Sequence, residues 1–429
     1  MPKDKVVLVS AILGGAGLAR NHQESIDELN RLAETAEVEV VATFTQNLKK
    51  PHTATYLGKG KLKEIASAAK SRHARTLVFN NNLSPSQSRN ISDSTKCNVV
   101  DRTELILDIF ATHASSRQSK LQVELAQLEY AYTKLKQMWK HLSRIQGGIG
   151  FRGPGEKQIE VDRREIRRRI GVLKKKLDEI EVTAKTKRKK RKGLTSVSLV
   201  GYTNAGKSTL FNRLTKENRF VADQLFATLD SKASSFYSHK NENIMLSDTI
   251  GFIKDLPHRL VGSFRSTLLD VREADLLLHV VDVSQDNLFE QIQAVEDVLR
   301  ELEVDEKNLL TVFNKTDLTS GNHFKFLKKK LLKEYPDCVF ISAATGEGIQ
   351  DLFAKIDHFI ECRSRIHIVA IPTEMKKLVA YVYQNTEVVA DDFDLDNDCY
   401  QIQLKAGFEE LESIKKQIEK YQLMRYINS

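Results

Sequence analysis

Paired cysteines and long apolar runs are both missing from this chain, and each absence removes a class of protein. The four cysteines, Cys97, Cys338, Cys362 and Cys399, lie far apart and form no C-x-x-C pair. That spacing argues against a disulfide framework or a structural zinc site and fits a reducing compartment. No apolar run approaches the length of a membrane span, so no transmembrane segment is expected. The opening MPKDKVVLVSAILGGAGLAR has the lysines, apolar run and small-residue end of a secretory signal. VVLVSAIL also reads as a buried first β-strand closed by a glycine turn, and that reading, with a cytoplasmic chain, is the expectation.

What is present describes a globular protein of several domains. The 429 residues exceed one core, and 41% hydrophobic with 29% charged residues supplies ample material to bury. The net charge of +9 is concentrated rather than spread. Residues 156–192 hold 16 Lys/Arg against 7 Asp/Glu, an excess of nine, so the rest of the chain sums to zero. A localised positive field is the footprint of a polyanion partner, although a solvated helix face followed by a basic linker has the same composition.

Residues 1–117 alternate strand-like stretches (6–13, 38–45, 76–80, 98–101) with helix-like ones (24–36, 60–71, 103–112), as in a parallel sheet covered by helices. The period then changes. Leu121, Leu125, Leu128, Tyr132, Leu135, Trp139 and Leu142 form one helical seam, and Ile159, Ile166, Ile170, Leu173, Leu177 and Ile180 a second. This is an antiparallel helical hairpin over 118–184, in which Trp139 serves packing. Its connection, IQGGIGFRGPGEK (145–157), is too rich in glycine for helix and is expected to be a contact loop. Gly147, Gly148, Gly150, Phe151, Arg152 and Gly153 at the tip, with Arg163, Arg164 and Arg167 on the outer helix face, are the candidate polyanion contacts. The run KTKRKKRK (185–192) reads as a basic linker.

Strands at 196–200, 243–247, 276–282, 309–314 and 338–342 alternate with helices in a doubly wound α/β domain over 193–360. The remainder, 361–429, is a small α+β domain whose ADDFDLDND lacks the pattern of a calcium loop and reads as a solvated hairpin turn. The fold class is thus multidomain α/β, and a monomer is expected.

The chemistry lies at the ends of those strands. GYTNAGKS follows a strand and opens a helix, the arrangement in which successive backbone amides wrap a triphosphate. Gly201, Tyr202, Thr203, Asn204, Ala205, Gly206, Lys207, Ser208 and Thr209 are the candidate cradle, with Lys207 neutralising phosphate and Ser208 offering a hydroxyl to Mg2+. In FATLD, Phe226, Ala227 and Thr228 form a candidate switch whose Thr228 caps the magnesium when the γ-phosphate is present. SDTIG supplies Asp248, Thr249, Ile250 and Gly251, a second metal residue and a γ-phosphate sensor. NKTD (Asn314, Lys315, Thr316, Asp317) selects guanine through the Asp317 carboxylate, while Ser342, Ala343 and Ala344 in SAATGEG follow the next strand, with the Ala343 amide expected at the guanine oxygen. Lys207, Thr228, Gly251 and Asn204 are the candidate catalytic set. His113 and His258 have no partner in sequence and read as structural or solvated.

GYTNAGKS, FATLD, DTIGF, NKTD and SAATGEG resemble the translation-factor-related class of P-loop GTPases. With DRTELILDIFA, LQVELAQLEY and above all GGIGFRGPGEKQIE upstream, the chain resembles the HflX family from residue 1 to about 360. The resemblance implies a cytoplasmic GTPase that binds GTP and GDP with Mg2+, binds the large ribosomal subunit and its rRNA through the candidate polyanion contacts, and separates the subunits of stalled ribosomes. A GTP-switched, RNA-binding assembly factor is the alternative. The resemblance also covers Phe252, which stands where many GTPases carry a water-orienting Gln. Intrinsic hydrolysis is therefore expected to be slow and to await outside help. Asn204 occupies the position where some such GTPases hold K+ beside the γ-phosphate. If it does so here, GTP turnover in potassium exceeds that in sodium at equal ionic strength, and Asn204→Ala removes the difference. Equal rates in both salts, with the variant neutral, exclude potassium.

Overall fold

A computed structural model of the chain describes residues 3–13, 19–145, 154–189, 195–217, 225–226, 228–230, 232–238, 243–253, 268–302, 304, 308–319, 321–364, 366–394, 397–405 and 413–418. The first sheet contains β1 (Lys5–Leu13), β2 (Glu39–Leu48), β3 (Thr76–Phe79) and β4 (Asn98–Asp101), all parallel in the order β2-β1-β3-β4. Six consecutive residues of β1 are buried, as a parallel strand covered on both faces requires. The strand reading of VVLVSAIL thus describes the structure. Helices α1 (Ala19–Thr35), α2 (Lys59–Ser71), α3 (Pro85–Thr95) and α4 (Arg102–His113) supply the cover. Helix α3 was not expected from its polar sequence, yet it carries a capping box of Ser84 and Gln87 with Pro85 at the first turn.

Helices α5 (Arg117–Ile145) and α6 (Pro154–Lys189) form the hairpin. Leu125, Leu173 and Leu177 are buried where they meet, with Leu121, Leu128 and Ile170 packed beside them. Glu124 pairs with Arg169 at 2.7 Å and Glu129 with Lys174 at 2.8 Å across the seam. Helix α5 also has a second apolar face. Val123, Ala126 and Tyr130 pack into the core of the first sheet, and the Tyr130 hydroxyl donates to Asp101 at 2.6 Å. Lys134 then bridges Asp101 at 3.0 Å and Glu104 at 2.6 Å. The hairpin is thereby fastened to the N-terminal sheet.

Three sequence expectations need correction. The connection expected over 145–157 ends earlier, because α6 starts at Pro154, where a missing N–H costs nothing since first-turn donors have no intrahelical partner. The basic run, expected as a linker from 185, continues α6 through Lys189. ADDFDLDND begins inside a strand, and only its end turns. Gly147, Gly148, Gly150, Phe151, Arg152 and Gly153 lie outside the described residues, as do the Trp139 side chain and His258.

The second sheet contains β5 (Thr195–Gly201), β6 (Lys232–Tyr237), β7 (Asn243–Asp248), β8 (Leu276–Asp282), β9 (Leu309–Asn314) and β10 (Val339–Phe340), in the order β10-β9-β8-β5-β7-β6. All pairs are parallel except the unforeseen edge strand β6, antiparallel to β7. Leu276, Leu278 and Val280 face a cluster with α7 (Lys207–Thr215), while Leu277 packs with α9 (Leu288–Glu301), α8 being the short Leu269–Arg272. Helices α10 (Gly321–Glu334) and α11 (Ile349–Ser364) complete the layers. A third, antiparallel sheet of β11 (Ile366–Pro372), β13 (Cys399–Lys405) and β12 (Glu387–Asp394) carries α12 (Lys376–Asn385).

Leu173 is fully buried at the hairpin seam. Leu173→Ala should therefore destabilise the hairpin by about 2–5 kcal/mol, the cost of a buried leucine cavity. Urea unfolding followed by helical circular dichroism checks this. The exposed neighbour Lys175→Ala should leave the transition in place.

Candidate nucleotide-binding and hydrolysis site

The site lies at the carboxyl ends of β5, β7 and β9, with β5 between β7 and β8. From β5 the loop runs through Tyr202, Thr203, Asn204 and Ala205 into α7. Gly206 turns it with φ +92, and a Cβ there would lie 2.2 Å from the Asn314 amide nitrogen. Only glycine permits that approach. Asn314, 2% exposed at the end of β9, donates to the Ala205 carbonyl at 2.8 Å, while its side-chain oxygen accepts from the Ala343 amide at 2.9 Å. One carboxamide therefore joins the phosphate loop, NKTD and SAATGEG. The Ala343 amide, expected at the guanine oxygen, thus also meets Asn314 within the protein. Arg213 of α7 donates to the carbonyls of Ala343 and, in a short contact, Ala344.

Beside Asn314, Lys315 pairs with Asp282 at 2.8 Å, the Thr316 amide donates to the Ile341 carbonyl at 3.2 Å, and Asp317 is exposed. Ser342 is buried and its hydroxyl accepts from the Thr345 amide. Across the loop, Lys207 is buried, its ammonium donating to the carbonyls of Gly201 at 3.1 Å and Tyr202 at 2.7 Å. Burial lowers its pKa to about 8, with the Asp248 charge opposing the shift and Lys315 adding to it.

Ser208, Thr228 and Asp248 come together although separated by up to forty positions. The Ser208 hydroxyl donates to Asp248 Oδ2 at 2.8 Å and lies 2.9 Å from Thr228 Oγ1, which reaches Asp248 Oδ2 at 3.1 Å. Asp248 Oδ1 is buried without a hydrogen-bond partner. Burial raises the Asp248 carboxyl above its ordinary value, against the pull of Lys207 and the two hydroxyls. Thr209 continues α7, and Thr249 donates to the Leu199 carbonyl at 2.5 Å, pinning the strand end. Ile250 is buried, and a Cβ at Gly251 would lie 2.9 Å from Thr203 and 3.1 Å from the Lys207 ammonium, so this backbone crosses directly over the phosphate loop.

Phe252 is 3% exposed. Its amide donates to the Gly201 carbonyl at 3.1 Å and its carbonyl accepts from Thr203 at 2.7 Å. Its ring joins a core shared with Leu29 and Leu32 of α1, Phe110 of α4, and Leu225 and Phe226. Phe110 and Phe226 meet edge to face at 4.6 Å. The N-terminal unit also reaches the phosphate loop through the Tyr202 hydroxyl, which donates to Glu28 at 2.6 Å. His113 does have a partner, its Nδ1–H donating to the Phe226 carbonyl at 2.9 Å. Sequence reasoning found neither contact, because each joins residues more than a hundred positions apart. Ala227 lies outside the described residues.

On the hairpin, the structure separates the arginines. Arg168 pairs with Glu165 on its own helix, and Arg169 with Glu124 across the seam. Arg163 and Arg167 instead flank Tyr132, their guanidinium carbons 5.7 and 5.6 Å from its ring centre, and Arg167 donates to its hydroxyl at 2.6 Å. Arg164 is exposed beside them. Tyr132, expected in the seam, belongs to this cationic cluster, and hydrogen bonds from Arg167 and Arg163 lower its pKa to about 8. Among the described residues no helix is long and apolar enough to cross a membrane.

Known proteins match along nearly the whole chain. Residues 23–111 match the family described as GTP-binding GTPase N-terminal, and 113–191 the GTP-binding GTPase Middle Region. Residues 196–315 match the 50S ribosome-binding GTPase and 327–425 the HflX C-terminal domain. The chain is 42% identical over 363 residues to GTPase HflX of Escherichia coli (strain K12), covering 84% of this chain and 85% of that one. It is 48% identical over 370 residues to GTPase HflX of Flavobacterium psychrophilum, covering 82% and 88%. A GTP-binding protein from Sulfolobus solfataricus, solved with GDP, is 28% identical with a TM-score of 0.45, over 83% of this chain and 98% of that one. The chain belongs to the HflX family of GTPases and is a GTP hydrolase.

Proposed function

We propose that this GTPase binds the large ribosomal subunit, dissociates stalled or stressed ribosomes, and hydrolyses GTP when the ribosome stimulates it. The observation that carries this reading is the hairpin, a basic two-helix arm fastened to the same N-terminal unit that touches Tyr202 and Phe226. Its cluster of Tyr132, Arg163 and Arg167 offers guanidinium planes and an aromatic face, which suit phosphates and unstacked bases of rRNA. The family description matched by residues 196–315 names the 50S ribosome, in agreement with this reading. The protein acts as a cytoplasmic monomer.

Within the site, the loop amides from Gly201 to Thr209 and the Lys207 ammonium hold the phosphates of GTP or GDP, and Asp317 accepts from guanine. Ser208, Thr228 and Asp248 would hold Mg2+, and the donor set fits: oxygen ligands only, with one buried carboxylate oxygen unpartnered. When bound, Mg2+ neutralises charge on the β- and γ-phosphates. The Gly251 amide faces the γ-phosphate. Asn204, held at φ 61, would help a K+ ion where one binds beside the γ-phosphate. Phe252 has no polar group to orient water, and stimulation by the ribosome would supply what this position lacks.

Two measurements test this. Purified large subunits should raise GTP turnover well above that of the protein alone, and intact ribosomes should separate in the presence of GTP. Absent stimulation overturns the proposal, whereas stimulation with precursor subunits and no splitting favours the assembly-factor alternative. Second, phosphate contact should return a full charge to Lys207, whose pKa in the protein alone is about 8. GDP binding at about pH 8.5 should then take up protons, seen as binding heats that change with buffer ionisation enthalpy, and at pH 7 this uptake should vanish. Lys207→Met should abolish the pH 8.5 uptake.

A further inference from the structure

We propose that Asp230 is a positioning residue for hydrolysis, holding Thr228 in place by docking on the first turn of hairpin helix α5. The inference deepens the site described above and rests on Thr228 completing the magnesium set there. Thr228 takes its polar partners, Ser208 and Asp248, from the second sheet domain. The residues around it take theirs from the N-terminal unit. The Leu225 amide donates to Thr35 Oγ1 at 3.3 Å, and the Phe226 carbonyl accepts from His113 at 2.9 Å. Phe226 itself is held at φ 57, a left-handed conformation unfavourable for a bulky residue, by its burial against Phe110.

Asp230 is the strongest of these attachments. Its Oδ2 accepts from the Ser115 amide at 3.3 Å, the Ser115 hydroxyl at 2.5 Å and the Ser116 amide at 3.0 Å, and its Oδ1 from the Ser116 hydroxyl at 2.6 Å. The Ser116 hydroxyl also accepts from the Ser119 amide at 3.0 Å, so the carboxylate sits on the turn that starts α5. A negative charge is favoured at a helix start, where amides have no intrahelical acceptor. Burial alone would raise this carboxyl, but hydrogen bonds from Ser115, Ser116 and Ser119 outweigh it and hold the pKa at about 2. The contact lies two residues from Thr228 at the root of a helix of 29 residues, so a displacement of the arm bears directly on the metal-completing hydroxyl.

The test uses the full chain with Mg2+. Turnover of GTP and the affinities for fluorescent GDP and for a non-hydrolysable GTP analogue are measured for Thr228→Ala, Asp230→Asn, Ser115→Ala/Ser116→Ala and the Asp230–serine combination. Asp230→Asn and the serine pair should each lower kcat by about tenfold or more, the scale of lost charge-assisted hydrogen bonds. Each should also erase the preference for the GTP analogue while leaving GDP affinity unchanged. The combined variant should fall no further than the worse of its parents, because both sides remove one contact. Normal turnover in Thr228→Ala overturns the magnesium reading beneath the proposal. An impaired Thr228→Ala with a normal Asp230→Asn overturns the positioning role alone, as do additive losses in the combination or weakened GDP binding in Asp230→Asn.

Discussion

Phe110 and Phe226 meet edge to face at 4.6 Å, and the joint between the N-terminal unit and the second sheet depends on the apolar core around that pair. One ring belongs to the last helix of the N-terminal sheet, the other to the loop that carries Thr228. Leu29 and Leu32 close the core from one side, Ile250 and Phe252 from the other. Neither domain can bury these surfaces alone, and close-packed cores respond to displacement by switching rather than by bending. The hydrolysis site and the basic arm consequently share one foundation. Phe252, whose backbone bonds to the phosphate loop, is part of this foundation.

A second constraint fixes the nucleotide loops to each other. The Asn314 carboxamide donates to the Ala205 carbonyl and accepts from the Ala343 amide. Gly206 leaves the space that this requires. The phosphate loop, NKTD and SAATGEG thus hold their spacing through a single side chain, which preorganises a cleft that could otherwise collapse.

How much of this could be read in the sequence follows from distance along the chain. The phosphate loop demands contiguous glycines, a lysine and a serine after a strand, so GYTNAGKS announced itself, and strands at 276–282 and 309–314 stand where their apolar runs placed them. Helix α3 was hidden because eleven mostly polar residues show no apolar stripe, although Ser84, Pro85 and Gln87 do spell a helix start. Periodicity put Tyr132 in the seam because a seven-residue repeat cannot say where one helix stops covering the other; Arg163 and Arg167 decided the matter. The second face of α5, with Val123 and Ala126, was invisible for the same reason: it answers to a sheet, not to α6. His113 with Phe226, and Asp230 with Ser115, lie more than a hundred positions apart, and no local pattern encodes such pairs.

A change of Phe252 to Gln would not by itself place a water-orienting group in the site. The new carboxamide would enter an apolar core 3% open to solvent, at roughly 1–3 kcal/mol for its unmet hydrogen bonds. It would also loosen the joint between two domains before it could touch water. A Gln at this position would therefore need compensating changes in the surrounding apolar core before its carboxamide could serve the site.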